Sequence, residues 1–216
     1  MNGFFLIKYG PEILERTREH IFLVMISIVI AILVGLPLGI IITRYPNLRK
    51  PVLGFANIMQ TIPSLAMFGL LIPIPIIGGI GAVPAIVALT LYSLLPIIRN
   101  TYTGIIGVSP SIREAGIGMG MTDTELLFQV EIPLAMGVIL AGVRVAAVIS
   151  IGIATIAAAI GAGGLGIFIF RGISVVNDQL ILAGALPAAA MALLVDLAIG
   201  SLENHLTKGR TTKAKH

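Results

Sequence analysis

The sequence predicts an all-α integral membrane protein with about five transmembrane helices, six if residues 161–179 add a partial span, and a helical hairpin on the cytoplasmic side. Three observations carry that expectation. Hydrophobic residues make up 57% of the 216-residue chain and charged ones only 11%, against about 25% charged in soluble domains, and the mean hydropathy is +1.05. Charge is absent from residues 21–43, 51–98 and 145–170, and Asp196 alone interrupts the apolar run 180–202. Between these runs lies one polar insertion, SPSIREAGIGMGMTDTELLFQVEIP, ending at Pro133. A crossing helix needs about 20 apolar residues, so the long middle run holds two spans and the others one each. Helices are required because lipid leaves backbone groups no outside partner, and the runs lack the alternation of barrel strands.

The elements follow in order. Residues 1–20 form an external N-terminal segment rather than a cleaved signal, because the first apolar run is too long and follows the mixed-charge stretch Lys8 to His20. Spans are expected at about 21–43, 52–75, 80–98, 134–159 and 180–202, within one membrane domain covering 21–202, with the hairpin at 109–132. Tyr45-Pro46-Asn47 with Arg49-Lys50-Pro51 turns the chain after the first span, and Gly78-Gly79-Ile80-Gly81 divides the long run. Residues 203–216 are a basic cytoplasmic tail. Orientation comes from the cations. Arg44, Arg49, Lys50, Arg99, Arg113, Lys208, Arg210, Lys213 and Lys215 fall on one side, while Lys8, Arg16, Arg18 and Arg171 fall on the other. The positive-inside rule places the first set in the cytoplasm. The pI of about 9.7 thus reflects topology and anionic lipid, with no nucleic-acid surface of interleaved aromatic and basic residues.

Within the insertion, Ser111 with Glu114 and Thr122 with Glu125 match the S/T-x-x-E capping box, and Pro110 suits a first helical turn. Gly116, Gly118 and Gly120 are read as ending the first helix and reversing the chain. A second helix, roughly Asp123 to Ile132, carries Leu126, Leu127 and Val130 on its apolar face and stops before Pro133.

Several chemistries are excluded. No cysteine exists to form disulfides or thiolate metal sites, and His20, His205 and His216 lack metal-ligand spacing, so neither cofactor nor metal is expected. There is no G-x-x-x-x-G-K-[ST] loop, no G-x-S-x-G elbow and no H-E-x-x-H pair, which argues against an enzyme. The string IGAGGLG at 160–166 imitates a dinucleotide fingerprint but lacks the strand and acidic residue, and reads as a glycine-rich membrane loop.

Glu114-Ala115, Gly120, Val130, Ile132 and Pro133 resemble the EAA loop of ABC importer permeases: E-A-A, three residues, G, nine residues, then I-x-L-P. The departures are Gly116 for the second alanine, Val130 for isoleucine and Ile132 for leucine. More widely, Gln60-Thr61-Ile62-Pro63-Ser64, Gly142-Val143-Arg144, the IGAGGLG segment and Leu194-Val195-Asp196 resemble the permeases for glycine betaine, carnitine and choline. The resemblance implies a type I ABC importer permease fold and a transport subunit for a quaternary ammonium osmoprotectant. Its implied partners are ABC ATPase subunits, an external substrate-binding protein and a second permease, identical or paralogous, in the lipid bilayer. Glu114, Ala115, Gly116, Gly120, Ile132 and Pro133 are then the ATPase-coupling residues. A permease for another small solute, such as an amino acid, and a secondary transporter are the alternatives.

Other residues carry two readings each. Glu114 either only caps its helix or also meets the ATPase. Gln60, Thr61, Pro63 and Ser64 either satisfy carbonyls freed by a proline kink or line the translocation path or its gate. Arg144, about 16 Å of helical rise beyond Pro133, lies within the membrane, where pairing with Asp196 compensates both charges. Phe4, Phe5, Phe168 and Phe170 are read as interfacial anchors.

Overall fold

A computed structural model describes the backbone of residues 3–211 and the side chains of residues 9–206. The expectations for Phe4, Phe5, Lys8, Lys208, Arg210, Lys213, Lys215 and His216 fall outside the described side chains. Four helical runs are long and apolar enough to cross a bilayer, and one bent pair could serve as a fifth span. Helix α1 (Gly3–Arg44) is unbroken over 42 residues, about 63 Å at 1.5 Å per residue. The segment expected ahead of the first span therefore belongs, from Gly3 onward, to the same helix.

Helix α4 (Ala82–Ile106) is the centre of the bundle, with every residue from Tyr92 to Ile98 buried. Arg99 does not end it, because at that position the side chain is exposed while the backbone continues to Ile106. On one side α4 receives α1 at Gly35 and Gly39. A Cβ at Gly35 would stand 2.8 Å from Ile97 Cγ2, and one at Gly39 2.5 Å from Thr101 Cβ. Lipid offers no hydrophobic drive between helices, so this small-x-x-x-small spacing supplies the packing contact instead. On its other side α4 meets α7 (Ile132–Ile156), where the hydroxyls of Ser93 and Ser150 hydrogen bond at 2.8 Å. Helix α9 (Asp178–Thr211) packs against α7 and α8 (Gly166–Ser174).

The second expected span, 52–75, is not one helix. Helix α2 (Pro46–Thr61) and α3 (Ser64–Leu71) meet at 102°. The cause is local: a residue preceding proline is pushed out of the α region, and Ile62 adopts φ −64°, ψ 130°, followed by Pro63 at φ −56°, ψ 136°. The carbonyl of Ile62, left without a helical partner, accepts from the Tyr92 hydroxyl on α4.

The helices order the molecule into two ends. The hairpin end gathers Arg44, the start of α2, the end of α4 and the start of α7. The opposite end gathers the first turns of α1, the 72–81 turn, whose Gly81 N–H donates to Ile160 O at 2.8 Å, and α8. At nine residues α8 is too short to cross by itself.

Candidate functional site

The hairpin has one arm, α5 (Pro110–Gly118), that is a separate helix, and a second that begins with α6 (Asp123–Glu125) and continues into α7. Contrary to expectation, the second helix does not stop before Pro133. A π-helical stretch, Leu126–Glu131, precedes it, and Ile132 N–H donates to Leu127 O. Proline lacks an N–H and its ring crowds the carbonyl four residues back; widening the turn just before it accommodates both, so the helix passes through. The hairpin's second arm is thus rigidly continuous with a membrane span.

Two capping boxes were expected and one forms. Thr122 Oγ1 accepts from Glu125 N–H, and Thr122 N–H donates to Glu125 Oε2 at 2.8 Å. That bond holds the Glu125 carboxylate below the ordinary carboxylate range; a group so depressed loses its contribution as pH falls through its folded pKa. Ser111 does not cap: Pro110 fixes the helix start, making Ser109 the N-cap, and the Ser111 hydroxyl bonds to that of Ser109 at 2.8 Å. Glu114 is therefore free of the capping role. It is exposed, and among the described residues its side chain has no hydrogen bond or ion pair.

The turn belongs to Gly120 alone, at φ +84°. Gly120 N–H donates to Ile117 O at 2.9 Å and Met121 N–H to Gly116 O at 3.1 Å, a Schellman closure. Gly116 lies inside α5 and is buried because the second arm rests on it: a Cβ there would stand 2.7 Å from Leu126 Cδ1. Ala115, Ile117, Gly118 and Met119 are exposed, as is Phe128, so the hairpin presents apolar side chains outward. Ile132 packs against the cluster of Ile105, Leu127, Ala135 and Ile139.

Sequence reasoning passed over the residue that fastens this element. Glu131, 1% exposed, accepts a hydrogen bond from Arg44 Nη2 at 2.6 Å and forms an ion pair with Arg113, Nε standing 3.1 Å away. Arg44 also meets Asp123 at 3.1 Å, and Arg113 donates to the Ile105 carbonyl at the end of α4. One carboxylate thus joins the end of α1, the first hairpin arm and the root of α7. A signal was available: Glu131 stands four residues after Leu127, on the inward face of its helix, and a buried acid requires cations.

Arg144 and Asp196 approach to 3.8 Å, but Arg144 also reaches Glu203 at 3.4 Å, a partner the sequence did not suggest. Loss of the arginine removes the cation that two acids share, whereas loss of Asp196 leaves Arg144 its other acid. Arg144→Leu should therefore lower folded yield and melting temperature more than Asp196→Leu. The combined variant should fall short of the summed losses, by about 1 kcal/mol of coupling. Strict additivity in that double-mutant cycle would remove the interaction.

At the break between α2 and α3, Thr61 Oγ1 donates to Asn57 O at 2.7 Å. Gln60 and Ser64 are half-buried and make no side-chain hydrogen bond among the described residues; Thr61 and Pro63 are exposed. The Ile62 carbonyl freed at the break is satisfied from α4.

At the opposite end, Gly164 N–H donates to Glu19 Oε2 at 2.8 Å, and Arg16 pairs with Glu19 at 2.9 Å. The glycine-rich loop is thus a socket for α1. Phe168 is not an interfacial anchor: it is fully buried, edge to face with Tyr9 at 6.3 Å, because α8 is sandwiched between the start of α1 and α9. Phe170 is exposed.

A membrane-embedded helical bundle with one broken span, and a rigid hairpin protruding from one end, defines the membrane subunit of a solute transporter. The chain belongs to the family of binding-protein-dependent transport system inner membrane components, whose model matches residues 35–211. It is 48% identical over 205 residues to an osmoprotectant import permease protein, OsmW, of Salmonella typhimurium, covering 94% of this chain and 95% of that one. It is 45% identical over 203 residues to the glycine betaine/carnitine/choline transport system permease protein OpuCB of Bacillus subtilis, covering 94% and 92%. Its fold matches an inward-facing methionine ABC transporter, MetNI, with a TM-score of 0.82 at 21% identity, covering 95% of this chain and 99% of that one.

Proposed function

We propose that this chain is the membrane-spanning subunit of an ATP-driven importer that moves a quaternary ammonium osmoprotectant, such as glycine betaine, carnitine or choline. An external binding protein delivers the solute, and ATP is hydrolysed on separate ATPase chains. The observation that carries the reading is the hairpin: Glu114, Ala115 and apolar neighbours stand exposed on an element clamped to the bundle by Glu131 and continuous with a span. Such an element can seat in a groove of an ATPase and transmit closure as a rigid movement. The substrate class rests on the relatives at 45% and 48% identity over nearly the whole chain; the methionine transporter, at 21%, supports the fold alone.

In this reading the permease pairs with a second copy or a paralogue, and Gln60, Thr61, Pro63 and Ser64 line or gate the path at the broken span. The hairpin and the C-terminal tail face the cytoplasm, while Gly79 and Asp178 face outward. The absence of cysteine makes the orientation directly measurable. A single cysteine at Thr124 should resist an impermeant thiol reagent in intact cells, react in inside-out vesicles, and be shielded when the ATPase subunits are bound. A cysteine at Asp178 should give the opposite pattern in cells. Labelling of Thr124→Cys from outside intact cells would contradict both the orientation and the proposed coupling.

A further inference from the structure

Beside the hairpin, the ends of α1 and α4 and the start of α2 border an open pocket of about 650 Å³. Thr43, Asn47, Arg49, Lys50 and Tyr102 line it, with Leu53 among its apolar walls, and among the described residues no carboxylate does. The neighbouring cation, Arg44, is neutralised by Glu131 and Asp123. Arg49 and Lys50 have no ion-pair partner among the described residues. Arg49 is held with its guanidinium carbon 4.7 Å from the centroid of the Tyr102 ring, which fixes its charge on this side of α2. Arg99, about one turn from Tyr102 on α4, is exposed and also without an ion-pair partner. These cations sit where the uncharged runs 21–43 and 51–98 end, at the depth where a bilayer changes from hydrocarbon to headgroup.

We infer that this pocket binds the phosphate headgroup of an anionic phospholipid. Its cations match a phosphate diester, with the planar guanidinium supplying directed donors and the ammonium a mobile one. Its apolar walls match the glycerol and first methylenes of the chains, which a free phosphate ion would leave unpaired. The assignment stands on the chain being embedded in a membrane and is independent of the transported solute.

The test is native mass spectrometry of the full-length permease in detergent, titrated with phosphatidylglycerol, phosphatidylcholine or inorganic phosphate. The wild type should retain phosphatidylglycerol in preference to phosphatidylcholine. A basic side chain near an anionic lipid surface is worth about fivefold in affinity, so Lys50→Gln should weaken retention about fivefold and Arg49→Gln/Lys50→Gln about twentyfivefold. Both positions are exposed, and the single variant provides a graded readout should the double variant express poorly. Equal retention by wild type and variants would overturn the assignment. Displacement of the lipid by an equal concentration of inorganic phosphate would identify a free-anion site, and release of the lipid on ATPase binding would identify a protein contact; either overturns it too.

Discussion

Glu131→Gln is expected to cost the permease more than any other single polar substitution described here: the chain inserts into the membrane, but the hairpin loosens and uptake is lost. The neutral amide can still accept one hydrogen bond, but it leaves Arg113 and part of Arg44 as uncompensated charges at a buried site. Breaking a buried pair from one side costs about 3 kcal/mol or more. The loss should appear as a lower melting temperature of the purified chain and as protease sensitivity confined to residues 110–125. Because the carboxylate is buried while the arginines are partly exposed, high salt should reproduce only a small part of the effect in the wild type. Arg113→Gln/Glu131→Gln should recover part of the loss, since it removes the stranded cation on the hairpin arm. An unchanged melting temperature in Glu131→Gln would show that the node does not hold the hairpin.

The second large effect separates the hairpin's fold from its use. Ala115 is exposed, so Ala115→Asp adds a solvated charge at little cost to the permease alone. In a close helix-to-groove contact the same carboxylate is desolvated without a partner, at about 2 kcal/mol or more. Membrane insertion and thermal stability should be retained while the ATPase detaches, or hydrolyses ATP without transport. Gly120→Val acts by another route. Nothing lies within 4 Å of its Cβ position, so the penalty is the φ of +84°, which a β-branched residue adopts poorly. It should distort the Schellman closure, lower stability modestly and uncouple transport. ATPase pull-down from detergent extracts, beside uptake by the same strains, reads both variants. Normal retention and normal uptake in both would leave the hairpin an ordinary loop.

What the sequence revealed and what it concealed divide along contact distance. The all-helical membrane fold, the Thr122 capping box and the Gly120 turn are set by composition or by residues within one helical turn, and these were legible. The same S/T-x-x-E letters at Ser111 and Glu114 misled, because Pro110 moves the helix start to Ser109. Pro63 announced a kink, but the size of the break depends on α4, whose Tyr92 satisfies the Ile62 carbonyl. Pro133 read as a stop, and only the π-helical stretch before it shows how a helix passes through. The Arg44–Glu131 pair joins residues 87 positions apart, and Glu203 enters the Arg144 site only once α9 is laid along α7. Phe168 looked interfacial until α8 was seen to lie under Tyr9.

The central claim, that this chain carries an osmoprotectant across the membrane on behalf of an ATPase, is tested most directly by transport with purified parts. The permease, reconstituted in proteoliposomes with the ATPase subunits and binding protein of its own transport system, should accumulate radiolabelled glycine betaine, carnitine or choline. Accumulation should require ATP on the hairpin side and binding protein on the other, and Ala115→Asp should abolish it. Uptake that proceeds without ATP, driven by an ion gradient, would contradict the account and point to a secondary transporter.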